Sequence, residues 1–191
     1  MIYLQESENG LGIDNDPVSF SEAINGDNYD KWLDSMKDEL KSMTHKDVWD
    51  IMEFPEGCKG IGCKWVFTTK RDPHGNIERY KARLVAKGFT QKDDIDYKET
   101  FSHVYKKYSF RIIITLVVHY DLELHQMDVK TTFLNANLEE DVYIDQPMGF
   151  LEEGKENMVC KLKKSIYGLK QASRQRYLKV NDTIVSLGFR V

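Results

Sequence analysis

Two runs rich in β-branched and aromatic residues, Cys63–Arg71 and Ile77–Ala86, flank the turn Asp72-Pro73-His74-Gly75-Asn76. Polarity alternates along both runs, and the five residues between them carry a strong turn signal. The pattern predicts a β-hairpin. Both of its arms are cationic, with Lys64, Lys70 and Arg71 on the first and Arg79, Lys81 and Arg83 on the second.

The charge around this hairpin is segregated from the rest of the chain. Residues 59–92 hold nine Lys and Arg, ending with Lys87 and Lys92, against Asp72 and Glu78, a net of +7. Residues 159–181 hold seven Lys and Arg and no acid, again +7. The total of −4 leaves the remaining residues at −18. A pI of 5.8 argues against a polyanionic partner, but the local blocks argue for one. Attraction to phosphate acts over about a Debye length, roughly 8–10 Å.

A chain of 191 residues, 41% apolar, is long enough for one domain with a real core. It has no apolar run of about 18–20 residues that would predict a membrane span. The start carries Glu6, Glu8 and Asp14 rather than a signal-peptide pattern, so an intracellular protein, cytoplasmic or nuclear, is expected. Three cysteines suggest no disulfide framework, and Cys58 and Cys63 have no second pair to complete a zinc site.

Residues 1–17 read as a polar tail or linker. Ser19 or Ser21 can cap a short helix, and Tyr29, Trp32, Leu33, Met36, Leu40 and Met43 then form one face of an amphipathic helix. Val48–Ile51 suggests a short strand, and Gly88–Thr100 an acidic loop. In Tyr108–Tyr120, β-branched residues favour strand, whereas Ser109 as a cap and the length of the run favour a buried helix. Helix is preferred because a strand candidate, Leu122–Lys130, follows at once. Thr131–Asn137 reads as a helical or looped piece. Asp141–Asp145 and Met158–Leu162 read as strands, and residues from Ser165 to Gly188 as helix. The fold class is α+β.

One carboxylate interrupts an apolar, strand-like stretch, Leu124-His125-Gln126-Met127-Asp128-Val129-Lys130-Thr131-Thr132-Phe133-Leu134. A carboxylate there is costly unless a cation meets it, either Lys or Arg or a divalent metal held by oxygens.

The order of motifs is specific. Cys63-Lys64-Trp65-Val66-Phe67 is followed by Arg79-Tyr80-Lys81-Ala82-Arg83-Leu84-Val85-Ala86-Lys87-Gly88-Phe89-Thr90-Gln91 and by Ile95-Asp96-Tyr97-Lys98-Glu99-Thr100-Phe101-Ser102. After the Asp128 stretch come Val142-Tyr143, Gln146-Pro147, Gly149-Phe150 and Tyr167-Gly168-Leu169-Lys170-Gln171-Ala172-Ser173-Arg174. Over about residues 18–191 the chain resembles the reverse transcriptase of Ty1/copia-type retrotransposons, especially those of plants.

The resemblance implies the fingers and front of the palm of a right-hand polymerase that makes DNA on an RNA or DNA template with two divalent metals, Mg²⁺ or Mn²⁺. It makes Asp128 the first catalytic, metal-binding carboxylate. It places Phe133 beneath the incoming sugar, where its bulk would reject a ribose 2′-hydroxyl. Arg83 and Lys70 look like the cations that hold the triphosphate, with Arg71 or Lys64 as alternatives for the lysine role. Tyr167, Gly168 and Lys170 match the segment near the nascent base pair, and Lys64, Arg71, Arg79, Lys81 and Lys87 form a nucleic-acid-binding set. The implied partners are template-primer, deoxynucleoside triphosphates and the remainder of a polyprotein, in a virus-like particle for a complete element, with no membrane.

There are departures. The family's Tyr-x-Asp-Asp hairpin does not occur in these 191 residues, nor do the thumb and RNase H domain. Tyr143-Ile144-Asp145 has one Asp and matches a different segment, and Asp93-Asp94 falls in the loop after the hairpin. His103, Ala136 and Arg176 stand where Pro, Gly and Trp are usual. The expectation is a truncated reverse transcriptase without polymerase activity. The alternative is a non-enzymatic nucleic-acid-binding remnant or a pseudogene product.

Overall fold

The computed structural model describes residues 16–92, 96–101, 107–124 and 132–188. Helix α1 spans Phe20–Asn25 and is capped by Ser19, whose hydroxyl accepts from the Glu22 N–H at 3.2 Å. The Glu22 carboxylate accepts in return from the Val18 N–H at 2.9 Å, so donors at the helix entry are satisfied from both sides. Helix α2, Tyr29–His45, buries Trp32, Met36 and Met43 of the expected stripe, half-buries Leu33 and Leu40, and leaves Tyr29 exposed.

Strand β1, Trp49–Glu53, pairs antiparallel with β5, Met158–Lys164, which pairs on its other side with β4, Asn137–Asp145. The result is a three-stranded sheet in the order β1-β5-β4. The expected hairpin is present as β2, Cys63–Arg71, and β3, Ile77–Ala86, with Trp65 opposite Leu84 and Phe67 opposite Ala82. Asp72 closes its turn by accepting from the N–H groups of His74 and Asn76, while Gly75 supplies a φ of 87°.

A two-stranded ribbon is marginal alone in water and presents open edges. Helix α2 covers the free edge of β3. The Ser35 hydroxyl donates to the Tyr80 carbonyl at 3.2 Å and accepts from the Ala82 N–H at 2.6 Å. Trp32 packs edge-on against Phe67 and Tyr80, with ring centroids 5.2 and 4.7 Å apart. One hydrophobic cluster then runs from this hairpin through Met36 and Met43 to Val142, Ile144, Cys160 and Leu162 of the sheet.

The root of the hairpin is joined to the sheet through backbone. The Ile61 N–H donates to the Tyr143 carbonyl, and the Ile61 carbonyl accepts from the Asp145 N–H. Lys87 donates to Gly62 at 2.7 Å, and Ala86 donates to Tyr167 at 2.8 Å. Here Gly88 and Gly168 meet. A Cβ on Gly88 would overlap the Gly168 carbonyl, and a Cβ on Gly168, at φ 90°, would overlap the Ala86 carbonyl. Two buried amides lock the junction. The Gln91 side chain donates to the Gln171 amide oxygen and accepts from the Lys170 N–H, and Gln171 donates to the Asp96 carbonyl.

The remaining helices are α3, Lys107–His119, and α4, Ala172–Ser186. Several expectations change. Residues from Ser165 were expected to be helical, but α4 begins only at Ala172, because pairing with Ala86 and the positive φ of Gly168 hold the preceding segment out of helix. Tyr108–Tyr120 was expected to be a buried helix. It is helical, ending with Asp121 at φ 51° and the Leu122 N–H on the Val117 carbonyl. Its side chains Tyr108, Phe110, Ile112, Leu116 and Val118 nevertheless stand exposed: the backbone closes its own hydrogen bonds without burying the apolar faces. Leu122, Glu123 and Leu124 are not in a strand, and the rest of the Leu122–Lys130 candidate lies outside the described residues. Residues 1–15 of the expected tail also lie outside them, but Asp16 accepts from both the Thr69 N–H and the Thr69 hydroxyl, which fastens this end to β2.

Two substitutions separate backbone strain from close approach. Gly75→Ala, with no heavy atom near the new methyl, should cost about 1–2 kcal/mol in urea unfolding. Gly168→Ala should cost more than about 3 kcal/mol, because the same strain is joined by overlap with main chain. Gln171→Leu leaves the Gln91 amide and the Asp96 carbonyl unpaired and should cost about 3 kcal/mol by the same measurement.

Candidate nucleotide and nucleic-acid site

Because Ala86 pairs with Tyr167, the cationic strand β3 lies beside the segment that follows β5. The 3₁₀ turn Thr132–Asn135 reaches the same place, held by the buried Leu134 and Ala136 and by the Lys46 ammonium on the Asn135 side-chain oxygen at 2.6 Å. The Ala136 carbonyl accepts from the Ser165 N–H at 2.8 Å. These links build a ladder of four side chains. The Arg83 guanidinium lies 5.6 Å from the centre of the Tyr167 ring, and the Tyr167 and Phe133 centroids are 4.8 Å apart. The Arg176 guanidinium of α4 lies 5.1 Å from the Phe133 ring centre. Two flat cations thus bracket two aromatic rings, an arrangement that favours planar and anionic ligands.

Strand alternation places the hairpin cations on one face. Arg83 is opposite Val66, Lys81 opposite Thr68 and Arg79 opposite Lys70, while Trp65, Phe67, Ala82 and Leu84 are buried on the other face. Burial, and then the charges of Arg83, Arg79 and Lys70, hold the Lys81 ammonium below its ordinary pKa. Lys70 lies level with Arg79, four residues along β3 from Arg83, or about 13 Å at the usual strand rise.

The other expected ligands are placed differently. The Arg71 guanidinium donates to the Gly75 carbonyl within the turn. Lys64 is exposed on β2, opposite Val85. Lys87 lies beside Gly62 and Asp145 at the hairpin root. The Lys170 ammonium donates to the Gln91 carbonyl at 3.0 Å and the Tyr97 hydroxyl at 3.2 Å and sits over the Tyr97 ring, so in this structure it braces the junction. Gly168 is exposed beside Tyr167. Asp128 lies outside the described residues, and among those described no three His, Cys, Asp or Glu side chains gather to hold a metal. Cys63 and Cys160 are free thiols pushed up to about 11 and about 12, chiefly by burial, which leaves them poor nucleophiles.

Two participants escape a reading by motif. Arg176 breaks the resemblance, yet it occupies the open face of Phe133. Glu39 of α2 faces Lys81 and Arg83, and burial raises its carboxyl pKa despite the pull of both cations. Its signal is in the sequence: Met36, Glu39 and Met43 recur at spacings of three and four, which sets a charge on the stripe that packs inward.

Residues 46–191 match the family model described as reverse transcriptase (RNA-dependent DNA polymerase). The chain is 45% identical over 173 residues to the retrovirus-related Pol polyprotein from transposon TNT 1-94 of Nicotiana tabacum, a match to 91% of this chain and 13% of that protein. It is 38% identical over 180 residues to the corresponding polyprotein from transposon RE1 of Arabidopsis thaliana, covering 94% of this chain and 12% of the relative. For the polyprotein from transposon RE2 of the same plant the identity is 40% over 168 residues, 87% of this chain and 12% of the relative. The chain therefore spans only a small part of these curated relatives. No solved structure matches. On the extent of the family match and the identity to plant Pol polyproteins, the chain belongs to the reverse transcriptase family.

Proposed function

We propose that this chain is the fingers and front of the palm of a Ty1/copia-type reverse transcriptase, and that its ladder and hairpin face hold an incoming deoxynucleoside triphosphate and the template-primer. The observation that carries the reading is the convergence of Arg83, Tyr167 and Phe133, three residues far apart in sequence that the resemblance assigns to one nucleotide site. The planar fork of Arg83 suits phosphate oxygens. The Phe133 ring, with Tyr167 and Arg176 beside it, would exclude a ribose 2′-hydroxyl by bulk. Gly168 carries no side chain and lets a base pair come close to the backbone. Lys64, Lys70, Arg79 and Lys81 extend the positive face along a phosphate backbone. Magnesium or manganese held by Asp128, together with further carboxylates, would supply activation of the primer 3′-oxygen and stabilisation of the leaving pyrophosphate.

In the complete element this chemistry is RNA-directed DNA polymerisation. These 191 residues contain Asp128 but no Tyr-x-Asp-Asp, and one carboxylate holds two metals poorly. The chain alone is expected to bind without extending. The hairpin face also supports a second reading, a nucleic-acid-binding module without chemistry.

Fluorescence anisotropy with poly(rA)/oligo(dT) tests the binding. Affinity should fall steeply between 50 and 200 mM salt and drop about tenfold in Arg83→Ala. Salt-independent binding would overturn the hairpin assignment. Competition by dTTP that Phe133→Ala and Arg83→Ala both weaken supports the nucleotide site over the second reading, and competition insensitive to both overturns it. Primer extension with Mg²⁺ or Mn²⁺ should give no product. Extension that Asp128→Asn abolishes would show that these residues suffice for catalysis.

A further inference from the structure

Glu39 stands on the inward stripe of α2, three residues from Met36 and four from Met43, both fully buried. Its charged neighbours are Lys81 and Arg83, both on β3. The Oε1 atom of Glu39 and the Nε atom of Arg83 are each sealed from solvent, and neither has a hydrogen-bond partner. An acceptor and a donor of opposite charge are therefore desolvated near one another with those atoms unbonded, an arrangement that carries a desolvation cost. Among the described residues, Lys81 feels the like charges of Arg83, Arg79 and Lys70 and the opposite charge of Glu39. Arg83 thus lies over the Tyr167 ring and is electrostatically coupled to a carboxylate on α2.

We propose that Glu39 is the positioning residue of Arg83: its carboxylate holds the guanidinium on the hairpin face and competes with polyphosphate for it. The proposal rests on the reading of Arg83 as a phosphate ligand and adds a control on that site. With Glu39 ionised, the group Glu39, Lys81 and Arg83 carries one net positive charge, and with Glu39 neutral it carries two. Attraction of a polyanion to this face is therefore set from α2, outside the ladder. The raised carboxyl pKa of Glu39 fits this role, because burial disfavours its charged form despite both cations.

Isothermal titration of the 191-residue protein with inorganic tripolyphosphate at low salt tests the competition. Glu39→Gln keeps the shape and removes the charge, and should tighten binding about fivefold. Glu39→Asp retains the charge and should not tighten it. In an Arg83→Ala background the gain from Glu39→Gln should shrink to the part that acts through Lys81. Unchanged or weaker binding in Glu39→Gln, or a full gain without Arg83, overturns the proposal.

A second measurement needs no ligand. Carboxyl ¹³C NMR should show the Glu39 titration midpoint rising in Arg83→Ala, since a cation that favours the carboxylate is lost. An unmoved midpoint overturns the coupling, whether or not tripolyphosphate binds. A midpoint that rises in a protein that takes up no tripolyphosphate, with or without the Glu39 charge, overturns the phosphate reading of Arg83 and leaves the coupling standing.

Discussion

The close passage of Gly88 against Gly168 is the contact on which the candidate site depends. A β-hairpin reaching out of a sheet has no intrinsic angle to that sheet, and its tip cations could point anywhere. Here the last residues of β3 are paired with Tyr167, and the residue beyond them bonds Gly62. The chain before and after the hairpin is thus held within one hydrogen-bonded patch. Side chains at either glycine would push the strands apart, so the absence of Cβ atoms is what allows Arg83 to reach the Tyr167 ring.

The same patch explains the two buried glutamines. Close packing of backbone at a junction leaves polar groups that no regular ladder satisfies. Gln91 and Gln171 fill that need with side-chain amides, one from each side, and the Lys170 ammonium joins them through the Gln91 carbonyl. A lysine that motif comparison assigns to nucleotide contact is therefore engaged in holding the floor beneath the ladder. Helix α2 has a parallel part farther along the same edge of β3. Ser35 completes the strand's backbone bonds and Trp32 its packing, which makes the hairpin in effect a three-element unit.

Local periodicity made the hairpin, its turn, the α2 stripe and the Ser19 cap legible, because each is decided by neighbours a few residues away. The segment from Ser165 to Gln171 was not legible. Its helix-like composition is overridden by a bridge to Ala86, some eighty residues distant, which no window can register. The helical state of α3 was readable from run length, but its burial was inferred from apolarity alone, and apolarity states only what a side chain prefers. In the site, motif order singled out Arg83, Phe133 and Tyr167, which the fold brings together. Arg176 and Glu39 belong to no motif and emerge only when α4 and α2 are set against the residues they face.

Charge shows the same limit in another form. The two basic blocks look equivalent in sequence, yet the fold treats them differently. In the block spanning 159–181, Lys161 meets Asp141 at 2.8 Å, Lys163 meets Asp50 at 2.7 Å and Asp47 at 2.9 Å, and Arg174 meets Glu99 at 2.7 Å. Such exposed pairs contribute little stability, about 0–1 kcal/mol each, but they cancel field locally. The chain's excess acid is thus spent partly on silencing that block. In the hairpin, Asp72 is turned to its own loop, and Lys81 and Arg83 face Glu39 of α2. The hairpin face thus sets a row of cations on β3 beside the ladder, and Arg83 is the residue both surfaces share.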